Sequence, residues 1–169
     1  MEQANWVKNL KRYLLVAFVF LLQFIFADKC RLFGVAPNFA FAFVLTVSFL
    51  REQKYSFISA LILGIFLDAV SGRLFGPYTL LFMTVAFCIR EFYHSAFSEN
   101  FVIEALYGLV TCFITSVCFA FFISLFRGEF FTLISRTAWI EFFYNFVIFL
   151  VMLFIQKKCK KKRRSVFRL

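Results

Sequence analysis

A single histidine, two prolines, six glycines and nine acidic residues are all that 169 residues contain of the types that most often build chemistry or turns. The histidine is His94. Its neighbourhood, Arg90-Glu91-Phe92-Tyr93, offers neither the extra ligands of a metal site nor the nucleophile of a triad. The five cysteines, Cys30, Cys88, Cys112, Cys118 and Cys159, include no CxxC pair and are odd in number, so a disulfide framework is not indicated. Charged residues make up 17% of the chain, below the ~25% of an ordinary soluble domain. No window alternates with period two, which excludes a transmembrane barrel, and no repeat of 20–50 residues appears. These absences leave no metal, no cofactor and no clustered acid–base groups, so the sequence reads as a protein that is not an enzyme.

What is present is apolar. Hydrophobic residues reach 63% and aromatics 22%, with 30 Phe. A soluble domain of this length has too much surface to hide so much apolar area. The charge-poor intervals run over 10–27, 35–50, 55–70, 74–89, 101–126 and 138–155, followed by a basic tail at 156–169. The fold class that follows is an all-α integral membrane protein, a single membrane domain of about six transmembrane helices in one bundle. The second, third and fourth intervals hold about 16 residues each, short of the ~20 that cross a bilayer, so their ends snorkel, the bilayer thins, or one is re-entrant.

The net charge of +10 is local. Lys157, Lys158, Lys160, Lys161, Lys162, Arg163, Arg164 and Arg168 crowd the C-terminus. With six crossings and the N-terminus in the cytoplasm, fourteen of the 19 basic residues face inside and five outside, which is the positive-inside pattern. Both termini are then cytoplasmic. The first apolar run has Lys8, Lys11 and Arg12 before it, but Phe26-Ala27-Asp28-Lys29-Cys30 lacks a small-x-small cleavage site, so it reads as an uncleaved anchor. The tail residues Lys157, Lys158, Lys160, Lys161, Lys162, Arg163 and Arg164 read as a topology signal that contacts anionic lipid, with an acidic cytoplasmic partner as the sharper alternative. Nucleic acid is not implied, because no base-reading fold accompanies the charge.

Among the acids, Glu104 and Glu141 fall in what read as first turns of spans, where the helix dipole favours them. Asp68 does not: it lies near the end of the third span, after an apolar run, and intramembrane charge is costly enough to signal a role. It sits in a four-residue frame, Gly64, Asp68, Gly72 and Gly76. On a helix, Gly64 leaves a notch on the face that carries Asp68, so a neighbouring helix can approach and supply a donor. Gly72 and Gly76 are expected to break the helix at an outer turn, with Pro77 opening the next span and Arg73 as a counter-ion. The frame admits a pinned helical hairpin, a partner or ligand site, or a proton relay.

The ordered set resembles the MreD family. Its usual pattern has a Pro entering span two, a short basic turn, a span ending in G-x-x-x-D, and a Gly-containing turn with "LG". Here these are Pro37-Asn38, Arg51-Glu52-Gln53-Lys54, Gly64 with Asp68, and Gly72 with Leu74-Phe75-Gly76. The resemblance covers residues 34–92. Asn38 stands where the family often has an acid, the "LG" carries one extra residue, and the chain from Phe101 onward offers no matching motif. The resemblance implies a scaffold in the bacterial cytoplasmic membrane that partners an MreC-like protein, and through it links MreB filaments to wall synthases. Pro37, Gly64, Asp68, Gly72, Arg73 and Gly76 become the helix-packing or partner-binding candidates. The family is also similar to the six-helix substrate-binding subunits of energy-coupling-factor transporters. That keeps a small-molecule-binding alternative open, for which Thr46, Ser48, Ser59, Thr84, Thr111, Thr115 and Ser116 are the available polar groups.

Overall fold

Two prolines set where helices begin. A computed structural model describes residues 2–27, 29–31, 34–71, 76–93, 100–127 and 132–166. Among them the chain forms α1 (Glu2–Phe26), α2 (Phe39–Leu50), α3 (Gln53–Ser71), α4 (Pro77–Cys88), a π-helical turn (Ile89–Tyr93), α5 (Phe101–Arg127) and α6 (Thr132–Val166). Pro37 lacks an N–H, and Asn38 takes a non-helical backbone (φ −105°, ψ 81°) while its Oδ1 accepts from Phe41 N–H at 2.9 Å. This side-chain cap starts α2 four residues after the Val35 expected from the apolar run. Gly76 adopts φ +118°, a conformation that other residues resist, and Pro77 follows at the first helical position. So α4 starts three residues after the expected 74.

The last helix departs most from the sequence reading. It begins at Thr132, not at 138, and stays helical to Val166, so the basic run continues a helix instead of leaving it. Lysine and arginine are good helix formers. Glu141 therefore lies in the third turn of α6, not its first, and the dipole argument for it lapses.

Among the described residues, three stretches are long and apolar enough to cross a membrane: Gln53–Ser71, Phe101–Phe122 and Ala138–Cys159. The 12-residue α2 is not, since its rise is about 18 Å against a hydrocarbon core of ~30 Å. It is instead the centre of the bundle. Every residue from Ala40 to Leu50 is buried, and α1, α3, α4 and α6 pack around it. A helix apolar on all sides requires such a position. Its Phe41 meets Phe82 of α4 (ring centroids 6.0 Å), and its Phe49 stands edge-on to Tyr93 (4.9 Å) and beside Phe149 of α6 (5.9 Å).

The exterior is apolar too. Leu14, Phe18, Phe24, Ile65, Leu80, Leu106, Phe143, Val147 and Phe154 are all exposed. A water-soluble monomer does not present large aromatic and aliphatic side chains on five of its helices; lipid tails tolerate them.

Candidate functional site

The N-terminus of α4 leaves backbone N–H groups without intrahelical partners. Gly76, at the cap position, has no side chain to receive them. Asp68, from the last turns of α3, does. Its Oδ1 accepts from Tyr78 N–H at 3.0 Å, and its Oδ2 accepts from Thr79 N–H at 3.0 Å and from Thr79 Oγ1 at 2.5 Å. The residue is only 1% exposed. A carboxyl group that receives three donors at a helix N-terminus meets both the hydrogen-bonding and the dipole requirement of that end.

Gly64 lets the helices come close enough for this. A Cβ at position 64 would lie 2.5 Å from Thr79 Cα and 3.0 Å from Thr79 N. One turn apart on α3, Gly64 seats the backbone of Thr79 and Asp68 binds it. The donor comes from the next helix in the chain. Gly72 and Arg73, with Leu74 and Phe75, lie outside the described residues. Asn38 and Pro37 make none of these bonds and belong to a second cap.

That second cap serves α2. Asn38 N–H donates to Oδ1 of Asn145 on α6 at 3.0 Å. Gln23 of α1 accepts from Ala40 N–H at 3.2 Å and donates to the Pro37 carbonyl at 3.0 Å. Tyr144 on α6 donates its hydroxyl to the Cys30 carbonyl at 2.7 Å. Pro37 is buried; its carbonyl is held by Gln23, not offered to a surface. Both short helices thus begin inside the bundle, with side chains of longer neighbours replacing the water that would otherwise satisfy them.

The opposite end holds a cluster that the sequence reading separated. Glu104, on the first turn of α5, is fully buried. Its Oε2 has no aligned hydrogen bond; the Lys157 ammonium 2.6 Å away neutralises it by charge. Its Oε1 accepts from the Tyr93 hydroxyl at 3.3 Å. Lys157 also lies 5.6 Å from the centre of the Phe101 ring. Lys157, expected at the start of a lipid-facing tail, is therefore a bundle residue that joins α5, α6 and the π-helical turn. Of the other tail candidates, Lys158 is exposed, and Lys160, Lys161, Lys162, Arg163 and Arg164 lie on the helical extension of α6. In antiparallel neighbours, the start of α5 and the end of α6 share one end of the bundle, which was the available clue.

Removing one partner of a buried pair leaves an uncompensated charge. Lys157 is 23% exposed on its side chain, so Lys157→Met is expected to cost about 3 kcal/mol, at the lower end for such pairs. Thermal unfolding of the detergent-solubilised protein checks this. The double variant Glu104→Leu/Lys157→Met should recover most of the loss.

At the same end, Arg12 of α1 bridges to Glu52 in the α2–α3 turn at 3.2 Å and lies 5.5 Å from the centre of the Tyr55 ring. The Arg12 hydrogen bond, and next its charge, hold the Glu52 carboxyl below its usual range. That contribution is present above the ordinary carboxylate pKa and fades as pH falls through the lowered one. It is small, because Glu52 is 73% exposed and screened.

The polar groups available to a ligand are largely engaged at home. Thr46, Ser48, Thr84, Thr111 and Thr115 donate to the carbonyls four residues earlier, and Ser59 to that of Ser56. Among the described residues, no group of three or more His, Cys, Asp or Glu could hold a metal ion.

A bundle with an apolar exterior, three membrane-length helices and short helices capped from within is an integral membrane protein of the all-helical class. The family model for "rod shape-determining protein MreD" matches residues 7–162, and the chain belongs to that family. The match extends through α5 and α6, where the sequence offered no motif. No curated protein and no solved structure matches the chain. Family membership gives the protein a role in determining rod shape.

Proposed function

We propose that this protein is a scaffold of the cell-elongation machinery in the bacterial cytoplasmic membrane, joining cytoplasmic filaments to peptidoglycan synthesis through an MreC-like partner. The family match over residues 7–162 supports the setting. The observation that carries the reading is the α3–α4 hairpin, where Asp68 ties three donors of α4 and Gly64 admits its backbone. Such a hairpin holds Ser71 and Gly76, the two ends of the α3–α4 connection, in a fixed relation to the bundle, which supports a docking surface there. The charge count of fourteen against five supports a six-crossing arrangement with this connection outside and both termini inside. Filament and synthase contacts are then indirect, through the partner. Affinity isolation of the full-length chain from its native membrane tests this. An MreC-like protein should be recovered with it in comparable amount; its absence, with the bait abundant, overturns the reading.

A further inference from the structure

We propose that the C-terminal extension of α6 beyond Lys157 is a docking surface for anionic phospholipid headgroups. The depth follows from the helix. The apolar stretch Ala138–Cys159 has 22 residues, a rise of about 33 Å, close to the hydrocarbon thickness of ~30 Å. Trp139, 52% exposed, marks one end of that stretch, as a Trp at an interface does. Lys157 marks the other. The backbone remains helical to Val166, so residues 160–166 climb only about 10 Å further, which is the scale of the headgroup layer.

The charge matches that layer. Residues 156–169 hold eight Lys and Arg and no acid. Glu104 pairs with Lys157, while Lys158 is exposed and Lys160, Lys161, Lys162, Arg163 and Arg164 follow in the sequence. A protein partner would need a surface that stands clear of the bilayer, whereas phosphates of anionic lipid lie at the level of this run. Cations near such a surface are individually favourable and additive enough to select lipid.

The test uses the purified full-length protein reconstituted with equal amounts of phosphatidylglycerol and phosphatidylcholine, then extracted, with the retained lipid read by mass spectrometry. The wild type should retain phosphatidylglycerol by at least about tenfold over phosphatidylcholine, and added salt should reduce the preference. The variant with Lys160, Lys161, Lys162, Arg163 and Arg164 all replaced by Gln should retain the two lipids nearly equally, with an unchanged melting temperature as the sign that the bundle is intact. Lys157→Met should do the reverse, melting earlier while keeping the lipid preference. Equal retention of the two lipids by the wild type, or the same preference in the five-Gln variant, overturns the proposal and leaves the run to a protein partner. Neither the MreC-like partner nor the orientation enters this measurement, so its failure is distinct from theirs.

Discussion

Asp68→Ala is expected to destabilise the protein by about 4 kcal/mol and to strip most of it from the membrane fraction. The replaced carboxyl serves Tyr78 N–H, Thr79 N–H and Thr79 Oγ1. Each buried donor left unsatisfied costs about 1–3 kcal/mol, and two of the three share one oxygen, so the losses do not add fully. No side chain at Gly76 can take over. Asp68→Asn keeps one acceptor oxygen and should fall between wild type and Ala. The check is the melting temperature of detergent-solubilised protein beside the membrane level of each variant. A wild-type melting temperature for Asp68→Ala would mean that the α4 N-terminus finds other acceptors and that the hairpin is not pinned here.

Gly64→Ala is expected to be about half as damaging, although the change adds only one methyl group. Two effects oppose each other. Alanine favours an α-helix over glycine by about 1 kcal/mol. Against this, the new Cβ meets backbone atoms of Thr79 at 2.5 and 3.0 Å, and backbone cannot swing aside as a side-chain tip can. Overpacking of this kind costs about 1–3 kcal/mol. Displacing the first turn of α4 also stretches the Asp68 bonds, so the upper end applies and the clash wins by roughly 2 kcal/mol. Gly64→Ala at or above the wild-type melting temperature would show that α3 and α4 are not in limiting contact.

The parts of this arrangement differ in how far the sequence discloses them. Gly64 and Asp68 announce themselves because a four-residue spacing stacks positions on one helix face, and an acid in an apolar run is conspicuous. Their partners do not, because two of the three donors are backbone N–H groups, which every residue but proline carries. The α2 cap is harder still. Asn38 is local, but Asn145 comes from 107 positions away and Gln23 from the preceding helix, and neither amide stands out alone. Glu104 and Lys157 each had a sufficient local explanation, a helix dipole and a basic tail. Only the packing of α5 against α6 brings them together. Between those same helices, a Cβ at Gly108 would overlap the Phe149 ring, a close approach that no motif advertised. Hydropathy counts Val35 and Ala36 with the apolar run, whereas the helix α2 begins only after the residue that caps it, Asn38.

On the proposed reading, an MreC-like partner meets the bundle at the connection between α3 and α4. The most direct measurement is the yield of that partner isolated with Arg73→Glu, a charge reversal in the turn that leaves Gly64 and Asp68 in place, relative to wild type at matched bait level. The account predicts a wild-type melting temperature and a partner yield that falls several-fold. An unchanged yield from a folded Arg73→Glu protein would contradict it.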